Sequence, residues 1–157
     1  MTVQTPTDTA SVDSIIDALY DTVSGPAGSR DFDRLRALFL PDARLIPAEP
    51  VADNHTAGQA LDSAAFIAAV TPKLSTQPCY EVEIARRTER FGPIAHAWST
   101  YESRESADGE PFVRGINSIQ LLHKDGRWWV VTIFWSKETE HQQIPTRYSH
   151  RSPAAQN

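Results

Sequence analysis

Glu102 and His96 stand six residues apart in the run Ile94 to Glu105, an even separation that puts both on one face of a strand. A carboxylate raised by apolar surroundings, or an imidazole poised near neutrality, is what proton transfer requires. These two are the candidate catalytic residues. Each also has a plain alternative: Glu102 as a rim carboxylate paired to Arg104 or Arg114, and His96 as an exposed or core-satisfied histidine. Tyr20, Trp98, Thr100, Asn117 and Phe134 are the candidate ligand-binding residues. A mid-sheet amide such as Asn117 must be hydrogen-bonded if buried, either to a ligand carbonyl or to Thr100. The spacings of His55, His96, Glu102 and His123 do not suit a metal, so neither metal nor cofactor is expected.

The elements that position these residues centre on Phe112 to Lys137, two strands joined at Asp125-Gly126. An Asp-Gly pair suits a two-residue hairpin loop, which sets Lys124 against Arg127, Leu121 against Val130 and Asn117 against Phe134. The same rule at Asp108-Gly109 opposes Thr100 to Asn117 and Trp98 to Ile119. One face then collects His96, Trp98, Thr100, Glu102, Asn117 and Phe134 as the lining of a pocket. The other collects Tyr101, Gln120, Trp129, Val131, Ile133 and Trp135, a broad apolar surface suited to a subunit interface. A one-residue slip exchanges the two faces.

Upstream, Val12, Ile15, Ile16, Leu19, Tyr20 and Val23 follow helical spacing, with Ser11 as cap. A second helix is expected from Asp31 through Phe39, ended by Pro41, and a third from Asp62 or Ser63 through Leu74, kinked at Pro72. Ala43 to Ile46 reads as a short edge strand. Residues 1–10 read as a flexible tail, 11–137 as one domain, and 138–157 as a polar C-terminal tail. The expected fold class is α+β: three N-terminal helices packed on a curved antiparallel sheet, forming a cone with a pocket.

With 157 residues, 40% hydrophobic, the chain can bury a core unaided. Its net charge of -5 offers no basic stripe to nucleic acid or to an anionic membrane. Cys79 is its one cysteine, which excludes an internal disulfide. The polar start carries no basic, apolar leader, and a cytoplasmic location is expected.

The element order, with LFLPDARLI after the second helix and GINSIQLLHKDGRWWVVTIFW at the end, resembles the nuclear transport factor 2-like superfamily. That superfamily includes ketosteroid isomerases, scytalone dehydratase and polyketide cyclases. The resemblance implies a pocket between helices and concave sheet, with a homodimer formed through the outer face. It also implies a tyrosine donor on the first helix, matched by Tyr20, and a carboxylate base just after the second helix. Ile46-Pro47-Ala48 stands where that base would fall. Three functions follow as expectations: binding of a small, largely apolar molecule; an isomerase or lyase in which Glu102 or His96 replaces the base; or a non-catalytic interaction module.

Overall fold

The computed structural model describes residues 7–149; of the expected tails at 1–10 and 138–157, residues 1–6 and 150–157 lie outside them. Helix α1 spans Val12–Val23 and is capped reciprocally. The Ser11 hydroxyl accepts from the Ser14 amide, and the Ser14 hydroxyl accepts from the Ser11 amide. It buries Ile15, Ile16, Leu19 and Tyr20, the stripe expected from spacing. Order begins before the cap: Thr7–Thr9 forms a 3-10 turn with Thr9 buried, and Asp8 pairs with Arg34 at 2.8 Å.

Helix α2 is shorter than expected, Phe32–Arg36, because Phe39 and Pro41 belong to strand β1, Phe39–Pro47. Pro41 falls where the pairing of β1 is interrupted, between Phe39 and Arg44, which removes its need for an amide donor. Helix α3 spans Ser63–Thr76, capped by Asp62 and containing Pro72. Four more strands follow: β2 (Tyr80–Phe91), β3 (Ile94–Arg104), β4 (Pro111–Lys124) and β5 (Arg127–Lys137). They form one sheet in the order β1-β5-β4-β3-β2, antiparallel except for β1, which runs parallel to β5 at the edge. Helices and sheet enclose a core that includes Ile15, Ile16, Leu45, Leu121, Trp128 and Val130. The architecture is α+β with a curved, unclosed sheet. Among the described residues no helix is long and apolar enough to cross a membrane.

The register decides which side chains face the core, and the structure corrects it twice. Asp125 and Gly126 both have positive φ, 56° and 77°, as a two-residue primed turn requires, and Lys124 opposes Arg127 as expected. Beyond the Leu121–Val130 pair, however, β5 carries a bulge. Val131 is the extra residue, and Asn117 opposes Trp135 rather than Phe134. The second correction lies between β3 and β4. Asp108-Gly109 does not form the hairpin loop: the Gly109 amide closes a turn back to the Ser106 carbonyl at 3.0 Å, inside a longer connection. Ser99 therefore opposes Asn117, and Ala97 opposes Ile119.

Each shift turns part of a strand over. Trp98, Thr100, His96 and Glu102, expected in the pocket, alternate instead to the face away from α1 and α3, and Phe134 joins them. Tyr101, Ile133 and Trp135, expected at a subunit interface, turn inward. Gln120 and Trp129 remain on the outer face, and Val131 sits half-buried in the bulge. The C-terminal segment does not simply trail: Tyr148 lies against Trp98 with ring centroids 5.9 Å apart, and the Arg87 guanidinium covers Tyr148.

Candidate functional site

A cavity of about 340 Å³ opens between the helices and the inner face of the sheet. Apolar walls come from α1 (Leu19), α3 (Phe66, Val70) and the sheet (Ile119, Ile133, Trp135). Phe66 and Trp135 meet edge to face at 5.7 Å. Against this background two sets of polar groups stand apart.

The first set is fully connected. Tyr20 comes down from α1 onto the cross-strand pair Ser99 and Asn117. Asn117 Nδ2 donates to the Tyr20 hydroxyl at 2.9 Å, the Tyr20 and Ser99 hydroxyls are 2.6 Å apart, and Ser99 donates to Glu83 Oε2 at 2.5 Å. Glu83 accepts twice from Arg86, at 2.8 and 2.6 Å. A bulge in β2 between Glu83 and Ala85 turns both Glu83 and Arg86 inward although they are three residues apart. Arg86 then reaches α1, holding Asp13 at 2.6 Å and Asp17 at 2.7 Å. Burial keeps the Tyr20 hydroxyl protonated, its pKa raised well above the ordinary tyrosine value.

The second set has no such partners. Glu81 lines the cavity from β2, and its carboxylate has no hydrogen-bond partner among the described residues. Its backbone is fixed to the end of α1, since the Ser24 hydroxyl accepts from the Glu81 amide at 2.9 Å while donating to the Tyr20 carbonyl at 2.7 Å. Burial pushes the Glu81 carboxyl up to about 7, with the Lys73 ammonium on α3 pulling the other way. Glu81 opposes Ser103, and Tyr101 lies two residues along β3, which makes Glu81 and Tyr101 diagonal neighbours on one face. The Tyr101 ring lies over Gly115, where an added Cβ would come within 2.5 Å of its hydroxyl, so glycine is what leaves room for it. That hydroxyl likewise has no partner among the described residues. Burial, followed by the Glu81 charge, raises its pKa and keeps it a donor. An unpaired carboxyl near neutral pKa beside an unpaired phenol can exchange a proton with a bound molecule and stabilise charge on its oxygen.

Of the residues expected at the site, the structure brings Tyr20 and Asn117 to the cavity wall. Glu102 is paired with Arg104 at 2.5 Å and Arg114 at 3.2 Å on the outer side, where the one-residue shift of β3 places it. His96 is exposed beside Glu89 at 3.2 Å. Thr100 is buried without lining the cavity, and its hydroxyl has no partner among the described residues. Trp98 and Phe134 are 42% and 51% exposed on the outer face. Sequence reasoning missed Glu81, Tyr101 and Gly115. In Tyr80-Glu81-Val82-Glu83-Ile84 the apolar residues share one side by alternation, and nothing in that pattern marks Glu81 as inward. The overlooked signal is Arg86, three residues after Glu83, which gives a buried carboxylate its countercharge.

No protein-family description matches the chain, and no curated protein matches it. Solved structures do. An NTF2-like protein of unknown function from Pseudomonas putida shares 16% identity at a TM-score of 0.63, over 85% of this chain and 90% of that one. A candidate ketosteroid isomerase from Shewanella frigidimarina shares 12% at 0.54, over 78% and 91%. A candidate calcium/calmodulin-dependent kinase II association domain from Exiguobacterium sibiricum shares 10% at 0.62, over 88% and 98%. Helices closing one side of a curved sheet over a cavity define the class as an α+β cone. Its fold is that of the nuclear transport factor 2-like superfamily.

Proposed function

We propose that the protein binds a small, largely apolar molecule in the cavity. The observation that carries this reading is a cavity of about 340 Å³ with apolar walls, into which Glu81 and Tyr101 bring polar groups without hydrogen-bond partners among the described residues. Buried polar groups without partners cost free energy, and a ligand that satisfies them recovers it. Native mass spectrometry followed by denaturing mass analysis of the same sample is the test. A non-covalent adduct lost on denaturation is expected, from the purified protein or after incubation with small apolar compounds. A protein that stays at its bare mass in both conditions would count against the cavity as a binding site.

The Glu81 and Tyr101 pair favours a second reading, an acid–base enzyme of isomerase or lyase type. Glu81 would take the proton from a carbon next to a carbonyl, the C–H electrons would move onto the carbonyl oxygen, and Tyr101 would donate to that oxygen. Return of the proton to the same or a conjugated carbon completes an isomerisation. Exchange of α-hydrogen for deuterium in cyclohexanone, catalysed by the protein and abolished by Glu81→Gln, supports it. Exchange that survives the substitution removes Glu81 from the role.

The outer face is assigned to a second copy of the chain. Trp98 and Phe134 stand exposed there beside Gln120 and Trp129, and the likeness to an association domain supports self-association. The same native spectrum reports it as a mass of two chains. A monomer would leave that face to a different partner.

A further inference from the structure

The connected polar set has a direction, and that direction reaches the cavity. Glu83, held by Arg86, acts as an acceptor, so the single Ser99 proton goes to it. The Ser99 oxygen then receives the Tyr20 proton, since the hydroxyls lie 2.6 Å apart and Tyr20 stays protonated. With its proton committed, Tyr20 can only accept from Asn117, which requires the amide nitrogen of Asn117 to point at Tyr20. The amide plane is thereby fixed. Oδ1, on the opposite side of the amide carbon, has no partner among the described residues, and Asn117 lines the cavity.

Resting on the reading of the cavity as a binding site, we propose that this chain of hydrogen bonds sets the cavity's polarity at Asn117. Its carbonyl oxygen is offered to the ligand, and the ligand carries a hydroxyl or N–H donor at that end of an apolar body. Glu83, Ser99 and Tyr20 act as positioning residues. The Tyr20 hydroxyl, saturated by Ser99 and Asn117, is not itself a donor to the ligand. Donation to a ligand oxygen falls to Tyr101.

The proposal has a readout that general loosening of the site would not produce. In Ser99→Ala the Tyr20 proton loses its acceptor and turns to Asn117 Oδ1, the amide rotates, and the cavity now meets an N–H donor. In Tyr20→Phe the Asn117 amide loses the acceptor that fixes its plane, and either end of it can meet the ligand. The probes are 2-indanol, which donates and accepts, and 2-indanone, which only accepts. Tyr101 can donate to either, and Glu81 can accept from 2-indanol in every form of the protein, so the change in preference between wild type and variants reports Asn117. Affinities are read by NMR titration following the Asn117 side-chain amide and the Trp135 indole.

The wild-type protein is expected to bind 2-indanol about tenfold more tightly than 2-indanone, the worth of one hydrogen bond. In either variant the preference falls to parity or inverts. Equal affinities in the wild type, or an unchanged preference in a folded Tyr20→Phe or Ser99→Ala protein, overturns the proposal and leaves cavity binding standing. Failure of both probes to perturb Asn117 and Trp135 overturns the binding reading as well.

Discussion

The two polar regions of the cavity are built from the same kinds of group, a tyrosine and a glutamate each, and treat them oppositely. At one, Tyr20 and Glu83 are joined through Ser99 and tied by Arg86 to Asp13 and Asp17 on α1. At the other, Tyr101 and Glu81 face the cavity with neither hydroxyl nor carboxylate hydrogen-bonded within the described residues. A saturated network holds the fold and fixes orientation, because each member loses heavily if a partner leaves. An unsaturated pair costs stability until a ligand supplies the partners, which makes it the region where binding and chemistry are expected.

Breaking the saturated region has the largest expected effect. Arg86→Leu leaves Glu83 buried without its countercharge, and urea denaturation should show a loss of about 3–5 kcal/mol. A loss below about 1 kcal/mol would mean that this region is not held by the ion pair. Removing the charge of the unsaturated region should act in the opposite direction. The folded protein raises Glu81 from 4.5 to about 7 through burial, so between those pH values it keeps a proton that the unfolded chain has released. Its contribution therefore lowers stability progressively as pH rises from about 4.5 to about 7, and is constant above. Glu81→Gln should accordingly stabilise by up to about 3 kcal/mol at pH 8 and by almost nothing at pH 4. Equal effects at both pH values would contradict the assignment.

The two tyrosines give a finer comparison. Tyr20→Phe strands Ser99 and Asn117, for an expected loss of about 1–2 kcal/mol by thermal or chemical denaturation. Tyr101→Phe removes a hydroxyl with no partner among the described residues and should change stability by less than about 0.5 kcal/mol, while weakening 2-indanone binding. If the two substitutions cost the same, the contrast between the regions is lost.

Much of this fold was legible in the sequence because its signals are local. The stripe of α1, its Ser11 cap and the Asp125-Gly126 turn each depend on a few neighbouring residues, and each is found where expected. The site was legible only in part. Asn117 and Tyr20 reach the cavity, Asn117 because β4 keeps its expected alternation and Tyr20 because it shares the stripe of α1. The β3 and β5 residues were turned over by events that leave little trace in sequence. Asp108-Gly109 has the composition of a hairpin loop but sits at the end of a turn begun at Ser106, and Val131 is added to β5 as a bulge. Since side chains alternate with period two, each one-residue shift exchanged faces for everything beyond it. Glu81 was hidden for a different reason. The outer face of β2 carries Tyr80 and Val82, with Ile84 in the bulge, so the usual rule that apolar residues point inward reads that strand backwards.

The unsaturated region is the centre of this account, and the titration of Glu81 tests it most directly. Its side-chain carboxyl carbon can be followed by ¹³C NMR across pH 3 to 9 in the unliganded protein, with Glu81→Gln used to assign the resonance. A midpoint near 7 is expected for a carboxyl that is buried, unpaired and open to the cavity. A midpoint near 4.5, the value of an ordinary glutamate, would contradict the account by showing that the group is solvated or already paired.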